Sequence, residues 1–162
     1  GAPTSPAIVN ILLRDFDRRL NAWCRRRDVV YTRYCDDLTF SGGDLSGVRA
    51  VAEAELRSLG FFLNDQKTRL RSAGQRQTVT GLVVNERVSV PREERRALRQ
   101  AAYYCRRFGV EGHLAQTGSG MTPEACLNQL LGRVGYVLQA DPGCAWGLEL
   151  RRWLLEERRR RQ

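Results

Sequence analysis

Apolar residues recur at helical spacing along the first part of the chain. Five of them follow one another three or four positions apart: Ile8, Leu12, Phe16, Leu20 and Trp23. This period is typical of an amphipathic helix that packs along one side. Ser5 suits the N-cap, and Pro6 suits the first helical turn. The pattern therefore predicts a helix from about Pro6 to Arg25.

Two runs rich in β-branched and aromatic residues come next, at 29–34 and 38–41, with Cys35-Asp36-Asp37 between them. Such runs around a short polar link predict a β-hairpin. After it, helical spacing from Asp44 or Ser46 to Leu59 predicts a second helix, which Gly60 ends.

The remaining pattern separates a β-rich part from a helical part. Further strands are predicted at 61–64, 77–84 and 87–90, and Pro91 interrupts this pattern. Beyond it, helices are predicted at 92–108, 123–139 and 144–161, with a loop at 109–120 and Thr122 as the cap of the middle helix. The predicted fold class is α+β, with one subdomain at residues 1–90 and an all-helical one at 91–162.

Composition narrows the class of protein. The chain has 162 residues, of which 42% are apolar and 28% charged, enough for one domain or two small subdomains. Its longest apolar stretches fall far short of the roughly 18 residues of a membrane span, so we expect a cytoplasmic protein that does not enter a membrane. Five cysteines without a C-x-x-C pair predict reduced, mostly buried thiols.

Charge indicates a polyanionic partner. Lysine and arginine number 27 against 18 acidic residues, a net charge of +9, and Lys67 is the only lysine. A GC-rich genome explains an excess of arginine over lysine, but it does not explain the net charge. On the helix predicted from residue 92, one side carries arginines and the other apolar residues, so phosphates can follow the cationic side. The candidate nucleic-acid-binding residues there are Arg92, Arg95, Arg96, Arg99 and Arg106.

Asp36 and Asp37 are the sharpest chemical feature. On a regular strand two adjacent carboxylates point to opposite faces, whereas a hairpin bend lets both approach one ion. Carboxylates of this kind hold Mg²⁺ together with substrate phosphates. The alternative interpretation is that the pair serves only the chemistry of the turn.

Four motifs in order resemble the retron-type bacterial reverse transcriptases. They are Gly-Ala-Pro-Thr-Ser-Pro-x-Ile-x-Asn from Gly1, Tyr-x-Asp-Asp from Tyr34, Leu-Gly-Phe-Phe-Leu-Asn from Leu59 with Lys67-Thr68 after it, and Val79-Thr80-Gly81. The resemblance covers about residues 1 to 100. It implies the C-terminal part of a polymerase palm, an antiparallel sheet with helices, followed by a helical thumb.

The resemblance also implies roles for individual residues. Asp36 and Asp37 would be catalytic metal ligands for two Mg²⁺ ions, and Lys67 would approach the leaving pyrophosphate, with a solvated surface lysine as the alternative. Residues near the nucleotide and template would be Pro3, Thr4, Ser5 and Tyr34. Residues that position the nucleic acid would be Val79, Thr80 and Gly81.

The implied reaction is nucleotidyl transfer from deoxynucleoside triphosphates to a primer on an RNA template. The implied partners are the template and the RNA/DNA duplex. The family's first catalytic aspartate and its fingers are expected upstream of Gly1, so we expect this chain to be inactive unless a missing N-terminal part or another chain completes it. The competing hypothesis is a non-catalytic RNA-binding module that retains reverse transcriptase motifs.

Overall fold

A computed structural model describes residues 2–161 of the chain. Gly1, the first residue of the first motif, and Gln162 lie outside the described part. The chain forms two compact units, one that ends at Leu70 and one that begins at Arg71. We describe each unit by itself.

The first unit combines three helices with one hairpin. Its elements are α1 (Ser5–Leu12), α2 (Arg14–Arg25), β1 (Val29–Tyr34), β2 (Asp37–Gly42) and α3 (Val48–Arg57). The hairpin is therefore confirmed, with β2 one residue longer at each end than the pattern predicts. The single helix predicted from Pro6 to Arg25 is wrong, because Leu13 leaves helical geometry with φ −93° and ψ 6° and divides it into two. Leu13 is buried, so the break brings an apolar side chain into the core.

The start of α1 also differs from the prediction. The helix begins at Ser5 itself, Thr4 occupies the N-cap position, and the Thr4 side chain makes no capping hydrogen bond. Pro6 does lie in the first turn, where its missing N–H costs nothing.

The core of this unit lies between the helices and one face of the hairpin. Its buried side chains come from Leu13, α2, the start of β1 and α3: Leu13, Phe16, Leu20, Cys24, Val29, Val48, Ala52 and Leu56. Tyr31 and Phe40 lie directly opposite each other on the strands and stack with ring centroids 5.1 Å apart. The inner face of the hairpin is thus fixed by apolar packing.

The second unit is a helical assembly with a small hairpin. Its elements are β3 (Thr78–Val79), β4 (Leu82–Val83), α4 (Arg92–Thr117), α5 (Pro123–Ala140) and α6 (Ala145–Arg159). Thr122 caps α5 as predicted, since its hydroxyl accepts a hydrogen bond from the Ala125 N–H at 3.2 Å. Leu98, Val110, Leu127, Val134 and Leu154 are among the buried side chains of its core. The α+β class is confirmed at this coarse level.

Three strand predictions are wrong. Residues 61–64 form no strand, because Phe61 instead completes the cap of α3: its N–H donates to the Leu56 carbonyl, and Gly60 adopts φ +78°. The segment 77–84 turns back on itself at Thr80 and Gly81, so it gives a hairpin of two-residue strands. Of the strand predicted at 87–90, only Ser89 pairs, with Val83.

The loop predicted at 109–120 is wrong for most of its length. Gly109 leaves helical geometry with φ 77°, but helix resumes and continues to Thr117. Val110 and Leu114 lie four residues apart and are both buried, so packing stabilises this turn against its glycines.

The two units divide at Leu70 and Arg71, about twenty residues before the predicted boundary. Val90 belongs to the helical core and Leu82 packs against that core, so the small hairpin is part of the second unit. All five cysteines are free thiols, four of them buried, as predicted. No helix among residues 2–161 is both long and apolar enough to cross a membrane.

Candidate active site on the first hairpin

Asp36 and Asp37 lie at the tip of the first hairpin. Cys35 and Asp36 form the two-residue turn, and Asp37 begins β2 opposite Tyr34. Cys35 has φ +53° whereas Asp36 does not have a positive φ, the sign pattern of a type II′ turn. Residues directly opposite on paired strands share a face, so Asp37 and the exposed Tyr34 lie side by side on the outer face.

Both carboxylates are available to a ligand. Asp36 and Asp37 are exposed, and neither takes part in any ion pair between residues 2 and 161. Two adjacent hard oxygen donors are the protein contribution that Mg²⁺ commonly takes, with phosphates and water as its other ligands. The described residues contain no cluster of three or more His, Cys, Asp or Glu side chains that could hold a metal ion. The two carboxylates thus fit Mg²⁺, but they can supply only part of its ligands.

Arg33 holds the turn from the inner face of the hairpin. Its Nε donates to Oδ1 of Asp17 at 2.9 Å, and its Nη2 donates to Oδ2 of Asp17 at 2.6 Å. Its Nη1 donates to the Cys35 carbonyl at 2.7 Å and to Oδ1 of Asn10 at 3.0 Å. Tyr31 adds a hydrogen bond from its hydroxyl to Oδ1 of Asp17 at 2.7 Å. We call these four residues, Asn10, Asp17, Tyr31 and Arg33, the Arg33 cluster.

The electrostatics of the Arg33 cluster favour charged Asp17 and Arg33. Burial alone would raise the pKa of Asp17, but hydrogen bonds from Arg33 and Tyr31 and the guanidinium charge outweigh it, so the pKa lies below its usual range. The hydrogen bonds to Asp17 raise the pKa of Arg33. Burial and the bond to the Asp17 carboxylate raise the pKa of Tyr31. Tyr31 therefore stays a hydroxyl donor and Asp17 an acceptor.

Lys67 lies on a separate turn of the same unit. Oδ1 of Asn64 accepts hydrogen bonds from the backbone of Gln66 and Lys67, which fixes this turn, and Asp65 pairs with Arg49 of α3. No hydrogen bond or ion pair within residues 2–161 links Lys67 to the hairpin.

Three of the four residues predicted near the nucleotide and template, Pro3, Thr4 and Ser5, precede or begin α1. Pro3 and Thr4 form a turn in which the Ser5 N–H donates to the Ala2 carbonyl at 3.0 Å, and the side chains of all three predicted residues are exposed. Asn10 of the same motif joins this helix to the Arg33 cluster.

Val79, Thr80 and Gly81 lie in the small hairpin of the second unit. Thr80 has φ +48° and Gly81 has φ +85°, so both turn residues adopt a conformation that is rare for a β-branched side chain such as threonine. Asn85 fixes the preceding loop through bonds from its side-chain amide to the Ala73 and Gln75 carbonyls. A strained and exposed turn of this kind is typical of functional segments.

The five candidate arginines of α4 fall into three groups. Arg92 and Arg96 are exposed and take no part in the ion pairs between described residues. Nη1 of Arg106 pairs with Oε1 of Glu149 at 3.0 Å, and its Cζ lies 5.1 Å from the centroid of the Trp153 ring. Cζ of Arg99 lies 5.6 Å from the centroid of the Trp146 ring. Arg95 is half-buried, and its Nε has no hydrogen-bond partner among the described atoms.

Sequence reasoning missed the Arg33 cluster, although the pattern contained a sign of it. Val29, Tyr31 and Arg33 alternate on the inner face of β1, so a charge stood where an apolar side chain was expected. Such a position requires an acidic partner nearby. Asp17, next to buried Phe16 on α2, satisfies that requirement.

We predict that replacing Asp17 with Asn lowers the stability of the first unit by about 3 kcal/mol at neutral pH, because the guanidinium then lacks a compensating charge. The pKa of Asp17 is lower in the folded state than the ordinary 3.8, so its contribution is present above that value. The contribution is lost as pH falls through the folded-state pKa. The difference between wild type and variant should therefore be constant above about pH 5 and should shrink as the pH falls below the ordinary pKa of 3.8.

Urea titrations at several pH values measure this difference. Replacing Trp146 and Trp153 with Phe leaves Trp23 as the fluorescence reporter of the first unit. Asp65→Asn, which breaks an exposed pair with Arg49, is the matched control and should change stability little. An Asp17 contribution that is small or independent of pH would contradict this account of the cluster.

Comparison with characterised proteins identifies similar sequences. No family model matches the chain. The retron Mx65 reverse transcriptase of Myxococcus xanthus is 46% identical over 119 residues, which cover 71% of this chain. The retron Mx162 reverse transcriptase of the same organism is 38% identical over 88% of this chain, and the retron Ec83 reverse transcriptase of Escherichia coli is 29% identical over 92%.

The chain spans 28%, 31% and 46% of the lengths of these three relatives, respectively. Most of the chain thus falls within sequence shared with proteins named retron reverse transcriptases. By these similarities, the chain belongs to the retron reverse transcriptase family.

Proposed function

We propose that the chain contributes the palm carboxylates and the thumb of a retron-type RNA-directed DNA polymerase. The observation that carries this proposal is the pair Asp36 and Asp37, both exposed on one tight turn in a chain whose relatives are named reverse transcriptases. The palm would correspond to the first unit together with the segment that follows it, up to about residue 90, and the thumb to α4, α5 and α6. The reaction is nucleotidyl transfer to a primer on an RNA template.

The carboxylates of Asp36 and Asp37 would hold Mg²⁺ at the hairpin tip. When bound, two such ions supply stabilisation for charge that develops on the attacking and leaving oxygens. Asp36 is the proposed direct ligand and Asp37 the supporting carboxylate. Because the described part of the chain has no larger ligand cluster, further ligands must come from the substrate phosphates and from additional protein groups. For the same reason we propose that the described part of the chain does not catalyse nucleotidyl transfer by itself.

Other residues of the first unit would bind the nucleotide and template. The exposed turn at Pro3 and Thr4 and the first residue of α1, Ser5, present backbone groups at a helix start, where the helix dipole favours phosphate. Tyr34, 68% exposed beside Asp37, offers an aromatic ring to a base or sugar. Lys67 would supply positive charge to the leaving pyrophosphate.

The second unit would bind the RNA/DNA duplex. Arg92 and Arg96 present guanidinium groups that no ion pair within residues 2–161 neutralises, and the strained Thr80-Gly81 turn would position a strand. Arg95, Arg99 and Arg106 belong to the same proposed surface. Of these, Arg106 also stabilises contacts with α6, so it contributes less to phosphate binding.

We predict that Asp36→Asn abolishes primer extension by the protein that carries this chain, while its affinity for a primer–template duplex changes little. Asparagine preserves size but removes the negative charge that Mg²⁺ requires. The measurement is extension of a DNA primer on an RNA template, with duplex binding measured in parallel by fluorescence anisotropy.

Asp44→Asn is the matched control, because Asp44 is also an exposed carboxylate in a turn but lies outside the hairpin. It should extend primers as wild type does. Full activity of Asp36→Asn would refute the proposed role of the hairpin. RNA binding without extension by wild type would instead favour the non-catalytic RNA-binding module.

We also predict that the double replacement Arg92→Ala and Arg96→Ala weakens duplex binding and flattens its salt dependence by about one to two units of log–log slope. Each neutralised phosphate contributes about 0.7 to 0.9 to that slope. Titrations of duplex at several salt concentrations measure it. Arg18→Ala with Arg57→Ala removes the same charge from exposed helix positions of the first unit and is the control. Equal slopes in the two double variants would move the interface away from α4.

A further inference from the structure

We infer that Arg33 is a positioning residue for the acidic pair, with Asn10 and Asp17 as its anchors on two helices. This inference rests on the proposed function of Asp36 and Asp37. It concerns how the chain holds those carboxylates where a metal ion can use them.

Arg33 contacts the turn itself. Its Nη1 donates to the Cys35 carbonyl at 2.7 Å. That carbonyl belongs to the same planar peptide unit as the N–H of Asp36, so this bond fixes the orientation of the peptide that leads into Asp36. Neither Arg33 nor its bonding partners need to touch the metal ion to determine where the carboxylate lies.

The turn at Cys35 and Asp36 needs the support of this hydrogen bond. Cys35 adopts φ +53°, which costs a residue with a side chain of order 1 kcal/mol or more unless the surroundings hold it. Within residues 2–161, Arg33 is the only residue whose side chain hydrogen-bonds this turn. The hydrogen bond from Arg33 acts directly on the strained residue.

The side chain of Arg33 is itself held in place by its partners. Its side chain is 7% exposed, and its Nε and Nη2 grip Asp17 of α2 in a two-pronged contact. Its Nη1 also contacts Asn10 of α1. A buried guanidinium that loses these partners bears a large desolvation cost, so the side chain stays where its partners are. The turn is thereby tied to two helices rather than to its own strands alone.

The positive charge of Arg33 is already balanced within the cluster. Asp17 neutralises it, and the hydrogen bonds from Arg33 keep the pKa of Asp17 low. Arg33 therefore holds the peptide without offering an unpaired cation to Asp36 and Asp37. Neither of those two carboxylates forms an ion pair with Arg33, so both remain available to a metal ion.

The test compares variants that remove different parts of the cluster. Arg33→Lys keeps the positive charge but lacks the planar fork, so one ammonium cannot serve Asp17 and the turn together. Tyr31→Phe removes the hydrogen bond that the Tyr31 hydroxyl donates to Asp17, and it leaves the bond from Arg33 to the turn in place. Asn10→Ala removes one anchor and keeps the bond to Cys35, so it gives an intermediate case.

The first measurement is steady-state primer extension by the protein that carries this chain. We expect Arg33→Lys to lower kcat about a hundredfold, the effect of displacing a reacting group by about 1 Å, and to raise the Mg²⁺ concentration needed for half-maximal rate. The KM for the nucleotide should change far less. Asn10→Ala should lower kcat less, and Tyr31→Phe should leave kcat near the wild-type value.

The second measurement needs no activity. In ¹⁵N relaxation experiments on this chain, Arg33→Lys should increase the mobility of the amides at residues 35–37, whereas Tyr31→Phe should not. Equal effects of Arg33→Lys and Tyr31→Phe on both kcat and mobility would reduce Arg33 to a stabilising residue and overturn the inference. If Arg33→Lys does not fold, Asn10→Ala compared with Tyr31→Phe decides the question in the same way.

These readouts also separate the inference from the proposed function. A wild-type protein that neither extends primers nor responds to Mg²⁺ would refute the proposed function. The relaxation data would then still report whether Arg33 fixes the turn. An active wild type with an unaffected Arg33→Lys variant would refute the inference alone.

Discussion

The buried guanidinium of Arg33 is the strongest constraint on the hairpin unit. A charged side chain on the inner face of a strand is tolerated only if its donors are satisfied. The unit meets this demand with a carboxylate from α2, an amide from α1 and the carbonyl of the hairpin turn. The break at Leu13 lets α1 and α2 follow separate directions, and each contributes one of those partners. One side chain thus joins three elements at the place where the chain turns.

In this arrangement, the residue that positions the turn is different from the residues proposed to bind the metal ion. The cationic group that holds the turn lies on the inner face, where Asp17 balances its charge, and the carboxylates lie at the exposed tip. The same alternation along β1 places Tyr31 and Arg33 inward and Tyr34 outward. The proposed role of Asp36 and Asp37 rests on their exposure, on the absence of ion pairs to them within residues 2–161, and on the similarity of the chain to proteins named reverse transcriptases.

Local patterns predicted the elements that depend on local chemistry. The first hairpin, the Thr122 cap and the glycine end of α3 all follow from residues within a few positions of each other. Where packing competes with local preference, prediction failed: Val110 and Leu114 maintain helix beyond Gly109, and Val90 joins the helical core instead of a strand. Asp36 and Asp37 could be proposed from the sequence because they are adjacent in it. The Arg33 cluster was missed because its members lie up to 23 positions apart.

The most direct test of this account observes the Arg33 guanidinium itself by ¹⁵N NMR. A guanidinium held by Asp17, Asn10 and the Cys35 carbonyl should show restricted rotation about the Nε–Cζ bond. Its Nη resonances should then be resolved, and its Nε proton should exchange slowly with water. Averaged Nη signals and a rapidly exchanging Nε proton would show a mobile side chain, and would contradict the claim that Arg33 fixes the turn that carries Asp36 and Asp37.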